Sequence, residues 1–283
     1  MKKNKASETF TEVFPTSSFQ YLKHNHYRLY NLYNRIRKIY YSLRRPHHLI
    51  DKSKLDSTDI PVVICNHNRL ETLTALIEFL KSQSLSVSII IIDNNSNYPQ
   101  LLNYYDQLND PKIQVIRFDI NHGIRVILPV CQLLREFEYY VVSDADLIPF
   151  ENTPNDLLSY LRDLLIKYPK VNHVGTSLEI NDIPDHFPMK EKVVNWEQKF
   201  WKKEFETGVY DAHVDTTFAM YRKSSVVMDI YPSIRTGRPY TLKHFDWYID
   251  PKNLSPEMQH YFATITPHST WLTKMKEEVQ NQK

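Results

Sequence analysis

Two carboxylates stand directly after a short apolar run and are well suited to bind a cation. Asp144 and Asp146 flank Ala145 and follow the apolar residues 139–143. Alternate residues of an extended strand point to the same side, so both carboxylates can converge on one hard divalent cation, which prefers oxygen ligands. Two acids at a strand end are also common as solvated turn residues. The elements around them must decide between a metal site and a turn.

Composition excludes several classes of protein. The chain has 283 residues, 42% of them hydrophobic, which suffices for a sizeable core in one large or two modest domains. A formal net charge of +2 gives no overall drive toward nucleic acid, and the four glycines form neither a G-x-G-x-x-G turn nor a P-loop. The two cysteines fit a reducing compartment. With no apolar run near the roughly 20 residues of a membrane span, we expect a cytoplasmic protein.

The elements that must position the acids alternate between strand and helix. Apolar strands are predicted at 61–65, 87–92, 113–118, 139–143 and 171–180, and helical patterns at 70–80, 99–108, 123–137 and 154–167, with Pro129 expected to kink or delay the third helix. Such alternation predicts a parallel sheet with right-handed crossovers. Polar residues follow the first four strands, where the carboxyl ends of parallel strands form a ligand crevice.

These polar strand ends resemble those of nucleotide-sugar transferases of the GT-A fold, family 2 type. The matching motifs are Asn66-His67-Asn68-Arg69, Asp93-Asn94-Asn95-Ser96, Asn121-His122-Gly123 and Asp144-Ala145-Asp146. The resemblance covers roughly residues 60–150. It implies an α/β fold with a mostly parallel, Rossmann-like sheet flanked by helices, here with an N-terminal helical extension. It also implies a transferase that moves a sugar from a nucleoside diphosphate to a hydroxyl acceptor.

The resemblance also implies which residues hold the donor. The first loop and Asp93 would contact the base and ribose, and the two acids would hold the diphosphate through Mn²⁺ or Mg²⁺, with a UDP-sugar as the expected donor. The implied donor-binding residues are Asn66, Asn68, Arg69, Asp93, Asn121, Gly123, Asp144 and His244. A purely structural role stays open for two of these residues. Asp93 is equally suited to a helix cap or an Asx turn, and Arg69 to a solvated first helical turn.

The second half offers a buried acid, a glycine and two tryptophans. Asp215 lies among apolar residues, and burying an unpaired carboxylate costs several kcal/mol, so it is either hydrogen-bonded for structure or poised for chemistry. Gly175 permits a close backbone approach or relieves packing. Trp196 and Trp201 can stack on a sugar ring, although large aromatic residues at helical spacing are more often core.

Residues 237–248 combine basic, acidic, imidazole and aromatic groups in a stretch predicted to be a loop. With 215–218 they resemble a bacterial and viral subgroup of family-2-like transferases, but the Glu-Asp pair of the commoner family pattern is missing. Asp215 and Asp246 are therefore both candidates for the general base. His244 is expected to complete a metal site with Asp144 and Asp146, with His268 as the alternative ligand. Arg238 and Lys243 can pair with the diphosphate.

Together these patterns predict a metal-dependent, inverting glycosyltransferase in cell-surface glycan or polysaccharide synthesis. The division expected is a basic helical extension at 1–58 and a transferase domain at 59–283, with nucleotide-sugar binding at 59–150 and acceptor binding at 151–283. A sugar nucleotidyltransferase would need a glycine-rich loop after the first strand, which is absent. A non-catalytic carbohydrate- or lipid-surface-binding protein would not need acids at successive strand ends.

Residues 19–45 form a basic, tyrosine-rich stretch. Its apolar residues follow helical spacing, and seven Lys or Arg residues lie in it without a single acid between Glu12 and Asp51. Such a helix can lie on an anionic membrane surface, next to a lipid-linked or membrane-displayed glycan acceptor. It can equally pack its apolar stripe on the main domain. Amphipathicity alone does not separate the two.

Co-sedimentation with liposomes distinguishes membrane binding of residues 19–45 from packing of these residues on the main domain. A membrane-bound helix predicts salt-sensitive binding to anionic vesicles, because each basic residue near such a surface contributes about 1 kcal/mol. Deletion of residues 1–50 should abolish that binding and leave donor hydrolysis intact. A deletion variant that unfolds, or a full-length protein that ignores the vesicles, would instead favour packing against the domain.

Overall fold

The computed structural model describes residues 50–121, 123–127, 130, 134–150, 152–214, 218–223, 225, 227, 232–264, 272 and 275. The predicted basic helix at 19–45 lies outside the described residues, as do Asp215 and His268. No helix within the described ranges is long and apolar enough to cross a membrane.

The first half of the domain alternates between strand and helix as predicted. Its elements are β1 (Ile60–Asn66), α1 (Glu71–Lys81), β2 (Val87–Asn94), α2 (Pro99–Gln107), β3 (Ile113–Phe118) and β4 (Tyr139–Asp144). Pro99 occupies the first turn of α2, where its missing N–H costs nothing. The segment predicted as a helix over 123–137 is not one regular α-helix: among its described residues, Gly123–Ile127 and Leu134–Glu136 form short 3₁₀ helices, and Val130 is α-helical, which fits the kink or later start expected at Pro129. Pro129 lies between the two 3₁₀ helices and cannot supply a helical N–H.

The second half adds shorter elements. They are β5 (Leu147–Pro149), α3 (Leu157–Lys167), β6 (His173–Leu178), α4 (Lys190–Glu197), a 3₁₀ helix (Gln198–Trp201), β7 (Glu204–Glu206), β8 (Val209–Tyr210), β9 (Ala219–Arg222), β10 (Ser233–His244), a 3₁₀ helix (Phe245–Tyr248) and α5 (Pro256–Thr264). The loop predicted from residue 237 is wrong as far as His244, because these residues continue β10. A register shift between Thr236 and Thr241 admits Gly237 and Pro239 into the strand as an irregularity.

One mixed sheet joins both halves of the predicted domain. Its strand order is β3-β2-β1-β4-β9-β6-β10-β8-β7, with β5 paired to β10. The pairs β1–β2, β1–β4, β2–β3 and β6–β10 are parallel, and β9 is antiparallel to both β4 and β6. The strands β1 to β4, β6 and β10 therefore run in one direction, which confirms the mostly parallel sheet. Their carboxyl ends open at the same edge.

Two apolar clusters cover the two faces of this sheet. Val62 and Ile64 of β1 pack on one face with α1, and Val63, between them in sequence, packs on the other face with Ile127. The alternation follows from the period of two along a strand. Both faces must be apolar when helical segments cover each side, and full burial of one aliphatic side chain contributes about 1.5–3 kcal/mol. The buried sheet holds the polar strand ends at a fixed edge.

Gly175 in β6 leaves room for the side chain of Val214. A Cβ atom built on it would lie 2.5 Å from Val214 Cγ1 and 2.8 Å from Val214 Cγ2, closer than real Cβ atoms approach carbon. Val214 is itself buried, so it has little room to move. Of the two roles considered for this glycine, the structure supports the packing role.

Gly175→Ala is expected to lower the free energy of unfolding by roughly 1–3 kcal/mol, because it overpacks the contact with Val214. Val214→Ala alone should also destabilise the fold by leaving a cavity. The double variant should lose less than the sum of the two, since each change accommodates the other. Urea unfolding of the three variants measures this, and strictly additive losses would show that the two residues do not share the contact.

Candidate active site

The turn after β4 is held between two strands. The Ala145 N–H donates to the Cys65 carbonyl at the end of β1 (3.1 Å), and the Phe245 N–H donates to the Asp146 carbonyl (2.8 Å). Leu147 of β5 pairs with His244 of β10 in an antiparallel register. These backbone contacts bring the ends of β4 and β10 together. Asp146 and His244 are thereby neighbours although they are far apart in sequence.

Asp146, His244 and Asp246 form a group that can hold a metal ion. One potential ligand atom from each lies within 4.8 Å of the others, and His244 Nε2 is 3.9 Å from Asp146 Oδ2. Asp146 Oδ1 and His244 Nδ1 are buried with no hydrogen-bond partner within the described part of the chain. The His244 ring stacks on Trp247, with centroids 5.0 Å apart and an interplanar angle of 11°. The two carboxylates suit Mn²⁺ or Mg²⁺, and the imidazole adds a nitrogen ligand, so the residues fit a divalent cation.

This group differs from the predicted one in a single member. Asp146 and His244 were expected to share the ion with Asp144, but the third residue that the structure places with them is Asp246. Asp144 is the last residue of β4, while Ala145 and Asp146 already form a turn. The alternation of an extended strand therefore does not continue through Asp146. Of the two acids of the D-x-D motif, Asp146 belongs to the group of three and Asp144 does not.

Asp246 is buried and forms an ion pair with Arg69. Burial raises the pKa of the Asp246 carboxyl, the Arg69 guanidinium opposes that shift, and the nearby Asp146 adds to it. Arg69 is itself buried, so the alternative of a solvated first-turn residue is wrong. A general base must be within hydrogen-bond reach of a substrate hydroxyl. An enclosed carboxylate paired with Arg69 is poorly placed for that task, which favours a metal-site role for Asp246.

Asp93 is fully buried at the end of β2, beside Asn66 in the register with β1. Its Oδ1 accepts the Ser96 N–H (3.0 Å), which is the Asx-turn contact considered above. Its Oδ2 has no hydrogen-bond partner among the described residues. The Asx turn and a ligand contact are therefore compatible, because each uses a different oxygen.

His67 was missed as a candidate although it lies in the first-loop motif. Its Nδ1 is 3.0 Å from the Asn94 carbonyl, so Nδ1–H donates and Nε2 is an acceptor. Burial lowers the pKa of His67, which keeps the ring neutral. Nε2 is buried without a partner in the described chain, as is Asn66 Oδ1. Three acceptors, from Asn66, His67 and Asp93, thus lie at the ends of β1 and β2.

Asn68 has a structural role in this loop. Its Oδ1 accepts the N–H groups of Asn97 (2.7 Å) and Tyr98 (3.0 Å) at the start of α2, and its Nδ2 donates to Asn97 Oδ1 and Thr264 Oγ1, both at 3.0 Å. The side chain is fully buried, and its φ of 53° is one that asparagine tolerates. These contacts use the polar atoms that donor binding would need.

Asn121 and Gly123 form a turn that Asn94 organises. Asn121 Oδ1 accepts the Gly123 N–H and Asn94 Nδ2, each at 2.8 Å, and the Gly123 carbonyl also accepts Asn94 Nδ2 (3.2 Å). Gly123 has a φ of 60°, where a Cβ is disfavoured. The turn lies beside the end of β2. A contact with the sugar-nucleotide donor would come from Asn121 Nδ2, which none of these hydrogen bonds uses, or from the remaining backbone groups.

Arg238 and Lys243 are each paired with an acid that follows β6. Arg238 donates to Glu179 and lies over the Trp201 ring at 4.9 Å, and Lys243 Nζ is 2.7 Å from Asp182 Oδ2. Burial opposes ionisation of Asp182, but hydrogen bonds from Lys243 and Tyr248 outweigh it and lower its pKa. Both cations are therefore already neutralised by protein. The rule that polar groups follow parallel strands predicts Glu179 and Asp182, although neither was singled out.

A mostly parallel α/β sheet, with a group at its carboxyl edge that could hold a metal ion, is the arrangement expected of a GT-A nucleotide-sugar transferase. The chain matches the family model "Glycosyl transferase family 2" over residues 62–227, more than half of its length, and so belongs to that family. It is a glycosyltransferase, not a non-catalytic binding protein. No curated protein sequence matches it.

Two solved structures are similar to this chain at low identity. The mannosyltransferase PcManGT from Pyrobaculum calidifontis, in complex with GDP-Man and Mn²⁺, is 14% identical with a TM-score of 0.41, and the match covers 80% of this chain and 67% of that one. TarS (1–349) of S. aureus is 13% identical with a TM-score of 0.41, over 65% of this chain and 60% of that one. The chain thus matches about two thirds of the length of these proteins.

The geometry predicts how much each candidate ligand contributes to Mn²⁺ binding. Asp146→Asn and His244→Ala should each weaken Mn²⁺ binding by more than about tenfold, since even loss of an outer-shell partner costs that much. Asp144→Asn should weaken it less, because Asp144 lies outside the group of three. Electron paramagnetic resonance of free Mn²⁺ measures the affinities, with thermal melts to confirm folding. An effect of Asp144→Asn as large as that of Asp146→Asn would contradict the ranking.

Proposed function

We propose that this glycosyltransferase is metal-dependent and moves a sugar from a UDP-sugar to a hydroxyl acceptor with inversion, in the synthesis of a cell-surface glycan or polysaccharide. One observation carries the proposal. The Asp146, His244 and Asp246 group and the buried acceptors around Asp93 lie at the carboxyl edge of the same sheet. A nucleoside diphosphate donor needs one site for the cation that binds its diphosphate and another for its nucleobase.

The hydrogen-bond acceptors at the ends of β1 and β2 favour a nucleobase that carries a ring N–H. Asp93 Oδ2, His67 Nε2 and Asn66 Oδ1 can all accept a hydrogen bond, and His67 Nε2 carries no proton because Nδ1–H donates to the Asn94 carbonyl. Uracil offers the N3–H donor that such a site requires. Cytosine has an unprotonated N3, which would leave a buried acceptor facing another acceptor, at a cost of about 1–3 kcal/mol. Ribose hydroxyls can donate to the remaining acceptors.

Asp146, His244 and Asp246 would hold Mn²⁺ or Mg²⁺, and Asp144 is proposed to contact the ion through water or the donor directly. When bound, the ion supplies positive charge that neutralises the leaving diphosphate. The protein residues orient that site: Trp247 fixes the His244 ring, and Arg69 fixes Asp246. His268, the alternative ligand, lies outside the described residues.

The general base is proposed to be Asp215, because the second candidate, Asp246, is enclosed by Arg69. Direct attack by a deprotonated acceptor on the opposite face of the donor sugar is what inversion requires. The acceptor is proposed to be a glycan or a lipid-linked glycan, with residues 19–45 attaching a cytoplasmic enzyme peripherally to an anionic membrane. The residues 59–150 would then bind the donor and 151–283 the acceptor.

Hydrolysis of a panel of UDP-, GDP- and CDP-sugars tests the proposal. The wild type should hydrolyse a UDP-sugar in Mn²⁺ and lose this activity in EDTA, and Asp146→Asn should nearly abolish it. Asp93→Ala should raise the donor KM with kcat little changed, because it removes ground-state binding. In acceptor transfer, Asp215→Asn should lower kcat by about two to four decades with the donor KM little changed. Activity that ignores EDTA, or that prefers a CDP-sugar, would overturn the proposal.

A further inference from the structure

Arg69 makes contacts that reach well beyond its own loop. It follows β1, and its side chain is 3% exposed. Nη2 donates to Asp246 Oδ1, Nη1 is 2.7 Å from Met258 Sδ, and the guanidinium carbon lies 3.7 Å from the centroid of the Tyr261 ring. A buried charge therefore contacts the metal group on one side and α5 on the other.

The metal group has a specific need for such a charge. Asp146 and Asp246 are two carboxylates whose ligand atoms lie within 4.8 Å of each other. Like charges at this distance repel, and burial of Asp246 strengthens the repulsion because the local dielectric constant is low. Within the described part of the chain, the guanidinium of Arg69 forms an ion pair with Asp246. It can hold Asp246 in place whether or not a cation is bound.

The contacts of Arg69 also depend on its planar shape. One edge of the guanidinium meets the carboxylate while its face stacks on the Tyr261 ring. A lysine ammonium is a point charge on a flexible stem and cannot satisfy both contacts at once. The position of the Asp246 oxygens is therefore set by Arg69 together with α5.

We propose that Arg69 is a positioning residue for the metal site: it fixes Asp246 from behind, with Tyr261 clamping the guanidinium, so that Asp246 completes the group with Asp146 and His244. The inference rests on the proposed metal dependence. In this proposal Arg69 supports the metal ligand Asp246. The family resemblance instead implies that Arg69 contacts the sugar-nucleotide donor directly. Residues behind metal ligands commonly change metal affinity by about 10- to 100-fold when mutated.

A double-mutant cycle on Mn²⁺ affinity tests the role without using activity. Calorimetric titration would compare the wild type, Arg69→Lys, Asp246→Asn and the double variant. Arg69→Lys should weaken Mn²⁺ binding by about 10- to 100-fold. In the Asp246→Asn background the same change should have no further effect, because Arg69 acts through Asp246. Tyr261→Leu, which keeps both charges, should weaken binding in the same direction and serves if Arg69→Lys does not fold.

Arg235 offers a matched control. It is also fully buried, pairs with Glu197 (3.1 Å) and lies 4.1 Å from the Phe200 ring centroid, but it is not in the metal group. Arg235→Lys should lower the melting temperature and leave Mn²⁺ affinity unchanged. Unchanged affinity in both Arg69→Lys and Tyr261→Leu, or an Arg69→Lys effect that persists beside Asp246→Asn, would overturn the positioning role alone. A wild type that does not bind Mn²⁺ would overturn the metal site and, with it, this role.

Discussion

The cost of burying negative charge governs the architecture of this site. Asp93 and Asp246 are almost fully enclosed, and Asp146 is largely so. An unpaired buried carboxylate costs several kcal/mol, and each of these acids meets that cost differently. Asp93 accepts a backbone N–H and lies 3.8 Å from Arg117 Nε, Asp246 pairs with Arg69, and Asp146 retains one oxygen without a partner among the described residues. A cation is the natural counter-charge for the last.

Helix α5 contacts Arg69, which neutralises Asp246, and also residues around the loop after β1. Glu257 accepts the Glu71 N–H at the start of α1 (3.0 Å), and His260 Nε2 lies 2.8 Å from Asn97 Oδ1. Thr264 accepts from Asn68, and Tyr261 covers Arg69. One helix near the end of the chain thus fixes the loop after β1. The donor side and the metal side of the site share this support, so a change in one is expected to reach the other.

Periodicity and strand-end rules predicted much of this fold and some of its site. The strands β1 to β4 and the helices between them have patterns that depend only on local sequence, and the parallel sheet follows from their alternation. The pairing of Arg69 with Asp246 spans 177 residues and has no local signal. Residues 237–244 were misassigned because Gly237 and Pro239 are typical of loops. Only the register with β6 shows that a bulged strand accommodates them.

The metal group shows where a local rule stops. The alternation rule placed Asp144 and Asp146 side by side, but it holds only while the backbone stays extended, and the turn begins at Ala145. The turn places Asp146 near His244 at the end of β10 and near Asp246 in the 3₁₀ helix that follows. The D-x-D motif thus contributes one member of the group, Asp146. The pairing of β5 with β10 brings the other two members near it. The same motif on a strand without an antiparallel β5–β10 contact would not assemble this group, since that pairing sets His244 beside the turn.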